Sequence, residues 1–436
     1  MSNKLTTQQI VELNKDYTFF SWSNQGQVNP IAVDKADGVY FWDTDGKKYL
    51  DFASQLVNTN VGHQHPKIVK AIQEQAAKLT FAAPSMATEV KGLLGKKLSE
   101  ITPGDLKKTF FTLGGAEANE NAIKIARFYT GRHKILARYR SYHGATHGAI
   151  AVTGDYRRWS VEPAMPGAVH FLDPYCYRCP FGWTRETCHR ECISHVEEVI
   201  QHEGPDQIAA IILEGVTGTN GLIIPPDDYL PRIREICDKY GILLISDEVM
   251  SGWGRTGEWF AVDNWNVTPD IITTAKGITS GYVPLGAVIV REKIAKFFDD
   301  KVLFAGLTYS GHALACAAAL ATIEAYEEDK IFENAKNVGK HLGKRLEELK
   351  SKHPSIGDAR YIGMFSAIEL VKNKETKEPM DITALKNFMV SNGVYVFNFK
   401  NILFIVPPLV ITKEQLDEGL NLLDEGLAEL MDKQVS

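Results

Sequence analysis

The chain of 436 residues lacks the features that mark membrane, secreted and nucleic-acid-binding proteins. Its formal net charge of −6 gives it no basic excess with which to bind nucleic acid. The most apolar helical stretch, ALACAAALATI, has 11 residues, whereas a membrane-spanning helix needs about 20. The first residues, MSNKLTTQQIVELNKD, have no apolar run of the secretory type, so we expect a cytoplasmic location without a membrane partner.

Cysteine is scarce, and four of the six cysteines fall in one segment, CYRCPFGWTRETCHREC. Their order, C-x2-C-x8-C-x3-C, is compatible with a structural zinc site, because four thiolates can bind zinc. Free thiols in an inserted loop, or a labile disulfide, are the favoured alternative, since the middle gap is short for a zinc ribbon. We predict no metal at the active site. The four cysteines are Cys176, Cys179, Cys188 and Cys192.

What is present is the composition of a large globular protein, 44% hydrophobic and 23% charged, without evident repeats. In the central part, short apolar strands alternate with helices; the strands are KKTFFTL, HKILAR, IAAIILEG, GILLISDEV and DIITTA. This alternation predicts an α/β fold with a mostly parallel sheet covered on both faces.

Both ends of the chain differ from this pattern. Near the N-terminus, GVYFWDTDGKKYLDFAS predicts a β-hairpin around Asp45-Gly46. After residue 325 a long charged helix precedes the strands MFSAIELV, VYVFNF and ILFIV and a last helix that begins after Thr412. We therefore predict a large domain over residues 66–325, and a smaller α+β domain built from residues 1–65 and 326–436.

Three chemically distinct groups follow predicted strands in the central part. Asp247 ends GILLISDEV, Lys276 follows DIITTA, and Gly114-Gly115-Ala116 follows KKTFFTL at the start of a helix. Ligands of such sheets bind at the carboxyl ends of the strands, and a glycine pair at a helix N-terminus suits a phosphate. Pyridoxal phosphate needs a lysine for its aldehyde, an acid for its ring nitrogen and backbone donors for its phosphate. A lysine in a desolvated pocket has a lowered pKa and can act as nucleophile and proton carrier.

Five longer motifs carry a family resemblance: LGGAEANENAIKIAR, SYHGATHGA, ISDEVMSGWGRTGEWFA, TTAKGITSGYVPLGAV and LTYSGHALACAAALATIE. Through them nearly the whole chain resembles the class III (ω-amino) aminotransferases, pyridoxal-phosphate enzymes of the aspartate-aminotransferase-like fold (fold type I). The resemblance implies a large domain with a mixed, mostly parallel sheet. It also implies a homodimer, or a tetramer built from it.

The same resemblance implies roles for individual residues. Lys276 would form the Schiff base with pyridoxal 5'-phosphate, and Asp247 would hold the pyridine nitrogen. Tyr142 would stack on one face of the cofactor ring, and Val249 would pack on the other. The other implied contacts are Gly115 and Ala116 at the phosphate, Glu214 in the hydrogen-bond network near the ring, and Thr308 at the phosphate of the neighbouring subunit.

The chain departs from the family where many relatives bind a carboxylate. An arginine that often follows the HG of the stacking motif is replaced by Ala145, and one that often precedes PPL is replaced by Phe397. The frequent EP dipeptide is Glu214-Gly215. An acidic substrate nevertheless needs a cation, preferably an arginine that can bind bidentately.

Two short motifs suggest where that cation lies. FSWS and GDYRRW are similar to those of taurine–2-oxoglutarate aminotransferases, in which a tryptophan and an arginine so placed hold the anionic end of the substrate. This implies Trp22 and Arg157 as substrate-binding residues. The alternatives are Arg158 or Lys400 as the cation, or a surface arginine beside a core tryptophan.

Two other motifs have a structural and a functional interpretation. His63 and His65 in GHQHP have no further metal ligand nearby in the sequence, which favours a structural turn. Arg255, in GRTG, lies either in a loop beside the active site or in a structural position.

We therefore expect an aminotransferase that moves the amino group of an ω-amino acid or amine, such as taurine or a β-alanine-like donor, to 2-oxoglutarate or pyruvate. The mechanism would be of the ping-pong type. An aminomutase or phospho-lyase on the same scaffold is the alternative, and neither needs an oxo acid. A third hypothesis, a non-catalytic cofactor-binding protein, is disfavoured because Lys276 and Asp247 are both present.

Overall fold

The structure is a computed structural model that describes residues 5–435. Its strands form sheets of four, seven and five strands. The strands are β1 (Val33–Asp37), β2 (Tyr40–Asp43), β3 (Lys48–Asp51), β4 (Leu106–Thr112), β5 (Lys134–Arg138), β6 (Ala168–Phe171), β7 (Ile208–Leu213), β8 (Leu243–Asp247), β9 (Ile271–Thr274), β10 (Gly286–Arg291), β11 (Ile356–Ile362), β12 (Phe365–Asn373), β13 (Glu378–Pro379), β14 (Val394–Tyr395), β15 (Asn398–Phe399) and β16 (Ile402–Ile405).

Helices connect and cover these sheets. They are α1 (Thr7–Tyr17), the short α2 (Ser54–Val57), α3 (Pro66–Lys78), α4 (Glu89–Ile101), α5 (Gly115–Thr130), α6 (His147–Val152), α7 (Glu191–Glu203), α8 (Tyr229–Tyr240), α9 (Glu292–Phe297), α10 (Ala313–Glu328), α11 (Ile331–Lys352), α12 (Thr383–Ser391) and α13 (Lys413–Gly426). Within residues 5–435, no helix combines the length and the apolar character that a membrane span requires.

The seven-stranded sheet has the order β4-β10-β9-β8-β7-β5-β6. Its strands run parallel except β10, which is antiparallel to both β4 and β9. Alternate residues of β7 pack into different clusters, Ile211 and Leu213 with α8 and Ala210 and Ile212 with α5. Because neighbouring side chains of a strand point to opposite faces, both faces of this sheet are covered. The predicted mixed, mostly parallel sheet is confirmed.

The predicted hairpin is confirmed as β2 and β3, which pair antiparallel. The C-terminal part joins the same sheet, because β14 pairs parallel with β3, Val394 opposite Leu50. The five-stranded sheet contains β11, β12, β16 and β15, with β13 paired to β12. The segment VYVFNF, expected as one strand, is therefore two: β14 belongs to the sheet of the N-terminal hairpin and β15 to the C-terminal sheet.

Candidate active site

Three strand ends bring the predicted catalytic groups together. β8 ends at Asp247, which lies opposite Thr273 of the parallel strand β9, and Lys276 follows β9 by two residues. Because β10 is antiparallel to both β4 and β9, the carboxyl end of β4 lies at the same edge, where α5 begins at Gly115. The lysine, the acid and the helix N-terminus thus share the edge of the sheet where ligands bind.

Lys276 lies in a desolvated position without a direct partner. Burial lowers the pKa of its ammonium group to about 8, against the opposing effect of the carboxylates of Asp247 and Glu214. Its Nζ makes no hydrogen bond or ion pair within residues 5–435. The backbone of Lys276 has φ 47°, in the left-handed region that non-glycine residues rarely adopt. A lysine so placed loses its proton more readily than an exposed lysine does.

Asp247 is held in place by a buried hydrogen-bond network. Its Oδ2 accepts from Asn119 Nδ2 at 2.7 Å and from His143 Nδ1 at 2.8 Å, and its Oδ1 accepts from the backbone N–H of Val249 at 3.0 Å. Asn119 Oδ1 in turn accepts from Thr273 Oγ1 at 2.6 Å. The carboxylate therefore has a fixed orientation at the strand end.

Sequence reasoning did not identify Asn119 and His143. The signals were present, because His143 directly follows Tyr142 in SYHGATHGA and Asn119 lies one helical turn after Gly115. Without the fold, neither residue can be distinguished from one that only packs in the core.

The start of α5 is packed so closely that it requires glycine. Gly114 is the N-cap of the helix, and a Cβ on Gly115 would lie 2.8 Å from both methyl groups of Val249. A Cβ on Gly144 would lie 2.5 Å from the Cβ of Ala116. The structure thus brings Gly115, Ala116 and Val249 together where free backbone N–H groups of a helix N-terminus can hold an anion.

Glu214 follows β7 and links neighbouring segments. Its Oε1 accepts from the backbone N–H of Tyr142 at 3.3 Å, and its Oε2 accepts from the backbone N–H of Gly218 at 2.6 Å. Burial raises its pKa above the usual range of a glutamate. Burial also raises the pKa of Tyr142, while the charge of Arg157 opposes that shift.

The two predicted substrate-binding residues lie beside Tyr142. The guanidinium carbon of Arg157 is 4.2 Å from the Tyr142 ring centre, 5.6 Å from that of Trp22 and 5.9 Å from that of Phe399. The rings of Trp22 and Tyr142 meet edge to face, with centres 6.0 Å apart. Trp22 is 60% exposed, so it is not a core tryptophan.

The alternative cations are placed differently. Arg158 Nε donates to Glu162 Oε1 at 2.8 Å, and its Nη1 donates to the carbonyl of Gly154. Lys400 Nζ lies 5.5 Å from the centre of the Phe399 ring. Phe397 stacks on Phe404 with ring centres 4.4 Å apart, so this position contributes to packing. Of the three candidate cations, Arg157 is the one that contacts Tyr142.

Arg255 has a structural position. It is fully buried, and its guanidinium donates to the carbonyls of Met364 and Pro407 and to Ser54 Oγ and Asn60 Oδ1. It thereby joins the N-terminal, central and C-terminal parts of the chain.

The histidines of GHQHP bind separate aspartates. His63 Nε2 lies 3.1 Å from Asp51 Oδ2, and His65 Nε2 lies 2.8 Å from Asp329 Oδ2. His65 is also the N-cap of α3. The structural interpretation of this turn therefore fits the geometry.

The four clustered cysteines lie near one another but do not form a metal site as they stand. The thiol of Cys192 interacts electrostatically with those of Cys188, Cys176 and Cys179, and burial raises its pKa to about 12. All six thiols are free. Within residues 5–435, no group of three or more histidine, cysteine or acidic side chains is arranged to hold a metal ion. The zinc interpretation gains no support from this geometry.

Known proteins resemble this chain over most of its length. The family model described as "Aminotransferase class-III" matches residues 22–427. A solved structure of taurine:2-oxoglutarate aminotransferase from Bifidobacterium kashiwanohense, in complex with PLP and glutamate, is 45% identical and superposes with a TM-score of 0.96 over 99% of this chain and 100% of that one. Taurine–pyruvate aminotransferase of Bilophila wadsworthia is 36% identical over 98% of both chains. A leucine/methionine racemase of Thermococcus litoralis is 39% identical over 93% of this chain and 92% of its own.

Proposed function

Because the chain belongs to the class-III aminotransferases, which use pyridoxal phosphate, we propose that it transfers the amino group of a short ω-amino acid with an anionic end to a 2-oxo acid. Taurine or a β-alanine-like compound is the proposed donor, and 2-oxoglutarate or pyruvate is the proposed acceptor. The observation that carries this choice is the arginine beside Tyr142, since Arg157 offers the site a cation for a distal carboxylate or sulfonate.

The residues at the strand ends fit the cofactor that the family uses. Any side chain larger than glycine at position 115 would collide with Val249, and the N-terminus of α5 suits the phosphate. The buried Asp247 suits a protonated ring nitrogen, and the unpaired Lys276 suits the aldehyde. The proposed cofactor-binding residues are Gly115, Ala116, Tyr142, Glu214, Asp247, Val249 and Lys276, together with Thr308 of the partner subunit.

When bound, the cofactor supplies an electron sink for the carbon that loses its proton. The side chains of the chain control the proton and the substrate. Lys276 Nζ, with a pKa lowered to about 8, would accept the proton from the substrate carbon and hold it for return. Asp247, fixed by Asn119 and His143, would hold the ring nitrogen through its carboxylate. Arg157 orients the distal anion.

A donor and acceptor screen tests the proposal directly. The holoenzyme is mixed with taurine, β-alanine and amines of similar length that lack a distal anionic group, and the loss of absorbance in the visible band of the cofactor is followed. The aminated enzyme is then mixed with 2-oxoglutarate and pyruvate to recover that absorbance. If amines without a distal anionic group react fast and donors with such a group do not react at all, the proposed donor class is contradicted.

The Arg157→Ala variant tests the proposed anion clamp. We expect it to raise the KM for taurine, β-alanine and 2-oxo acids, because the distal anion loses its cation. Truncating one partner of a buried, hydrogen-bonded charge pair costs about 2–5 kcal/mol in binding. Arg157→Lys is expected to restore binding only in part, because an ammonium group cannot make the bidentate pair.

Arg158→Ala is the matched control, since Arg158 is the adjacent arginine and is bonded to Glu162 and Gly154. Steady-state kinetics with donors that carry a distal anion and with donors that lack one distinguish the roles of Arg157 and Arg158. Unchanged kinetics in Arg157→Ala together with a raised KM in Arg158→Ala would transfer the role to Arg158.

We also propose a homodimer. Several large apolar side chains are exposed in the single chain, and some belong to the segment that carries Thr308. Phe19 is 93% exposed, Phe304 69% and Val302 68%. Packing of these side chains against a second copy of the chain would remove their apolar surface from water. Thr308 itself is exposed, as it must be to contact a neighbouring subunit.

Dilution tests the dimer and the proposed role of Thr308 together. If the phosphate site is shared, dilution to monomer should release the cofactor in step with dissociation, as measured by sedimentation with absorbance detection. Thr308→Ala should weaken cofactor binding in the dimer without changing the sedimentation of the apoprotein. A monomer that keeps its cofactor and activity would contradict the shared site.

A second candidate is racemisation of an α-amino acid, because the T. litoralis relative is named as a racemase. A racemase, like an aminomutase or a phospho-lyase, turns over without an oxo acid. A strict requirement for 2-oxoglutarate or pyruvate in multiple-turnover assays excludes all three.

A further inference from the structure

Arg157 is held along one edge by the carboxylate of Asp155. Its Nε donates to Asp155 Oδ1 at 3.0 Å and to Oδ2 at 2.9 Å, and its Nη2 donates to Oδ2. Both side chains are buried: the exposed fraction is 8% for the side chain of Arg157 and 6% for that of Asp155. This contact fixes the direction of the guanidinium plane.

Asp155 also fixes the backbone that carries the arginine. It is the N-cap of the 3-10 segment Tyr156–Val161, and its Oδ1 accepts from the backbone N–H of Arg157 at 2.9 Å. One carboxylate therefore orders both the turn and the guanidinium. The two roles are separable by substitution, because asparagine is as good an N-cap as aspartate but carries no charge.

The aromatic rings restrict the guanidinium further. Tyr142 lies 4.2 Å from the guanidinium carbon, and Trp22 and Phe399 lie within 6 Å of it. Arg157 Nη1 has no hydrogen-bond partner within residues 5–435. Of the five N–H groups of a guanidinium, those at the Nη1 end are thus left for a ligand.

We propose that Asp155 is a positioning residue for the substrate anion: it orders Arg157 before the substrate arrives, so that the Nη1 end meets a carboxylate or sulfonate already in place. This inference rests on the proposed function of Arg157 as the anion clamp. A flexible arginine would lose its side-chain freedom on binding, whereas an ordered one has already lost it.

The experiment measures anion affinity without turnover. Ethanesulfonate and propanoate carry the distal anion of the proposed donors but no amino group, so they bind without reacting. Their dissociation constants are measured by the change that they cause in the visible spectrum of the holoenzyme. We compare the wild type with Asp155→Ala, Asp155→Asn and Glu162→Gln, the last of which alters the partner of the neighbouring Arg158.

Asp155→Ala should weaken the binding of both anions about tenfold, the typical cost of ordering one long side chain. Asp155→Asn should show an intermediate loss, because it keeps the N-cap and one acceptor. Glu162→Gln should leave both dissociation constants unchanged. In turnover, Asp155→Ala should raise the KM for anionic donors while kcat at saturation and the KM for 1-propylamine stay as in the wild type.

Two results would overturn the inference. Tighter anion binding in Asp155→Ala would show that Asp155 competes with the substrate for Arg157. An equal rise in the KM for 1-propylamine and for anionic donors would show that Asp155 only caps the turn. Wild-type turnover of taurine or β-alanine is a separate measurement, so a failure of the proposed function does not obscure the affinity comparison.

Discussion

Replacing Lys276 with alanine is expected to abolish amino-group transfer while leaving the fold intact. The variant loses the covalent attachment of the cofactor and the group that moves the proton, and general acid–base catalysis alone contributes about 10²–10⁴-fold. Because Lys276 Nζ has no hydrogen-bond partner within residues 5–435, its removal leaves no protein group there unpaired. Single-turnover kinetics with the preferred donor measure the loss, which we expect to exceed about 10⁴-fold.

Lys336→Ala is the control for this variant, since Lys336 is half exposed and pairs with Glu258 on the surface. It should keep full activity and the same visible spectrum. The Lys276→Ala protein should still bind pyridoxal phosphate without a covalent bond, so that borohydride reduction fails to attach the cofactor. Transamination at the wild-type rate by Lys276→Ala would falsify the assignment.

The Asp247→Asn variant is expected to lose about 10²–10³-fold in rate, the typical effect of removing one preorganised electrostatic partner. A neutral amide cannot keep the ring nitrogen protonated, so the electron sink weakens. The substitution also disturbs the hydrogen bonds from His143 and Asn119, both of which donate to Oδ2 in the wild type. Stopped-flow measurement of the donor half-reaction gives the rate.

Asp263→Asn is the matched control, because Asp263 is a partly buried acid that caps the 3-10 segment Ala261–Trp265 outside the site. It should leave the half-reaction rate unchanged. A loss of less than about threefold in Asp247→Asn would assign the ring nitrogen to another acid.

Much of the central sheet follows from sequence pattern alone. The five predicted strands appear as β4, β5, β7, β8 and β9, and the helix that starts at Gly115 ends where Gly131 adopts φ 68°. The edge strand β6 and the antiparallel β10 were not predicted. β10 begins within the motif TTAKGITSGYVPLGAV, which was interpreted for its lysine and not for a strand. β6 is a short strand, and its partly exposed side chains give little hydrophobic periodicity.

The proposed cofactor residues could be predicted from the sequence because strand ends, glycines and a lone lysine each carry a chemical signal. The supporting residues were not. Asn119, His143 and Asp155 acquire their roles only through distances between segments that are far apart in the chain. Arg157 and Asp155 are two residues apart, yet their pairing depends on the side-chain conformations within a 3-10 turn, which no periodicity encodes.

The parallel pairing of β14 with β3 has a consequence for the order of folding. Leu50 pairs with Val394 only after almost the whole chain has been synthesised, and Phe399, whose ring centre lies 5.9 Å from the guanidinium carbon of Arg157, follows five residues later. Contacts of such long sequence separation carry a large loop-closure cost and form late. The large central sheet has all of its strands by Arg291 and can assemble on the growing polypeptide, whereas the aromatic surroundings of Arg157 are complete only once the last part of the polypeptide is available.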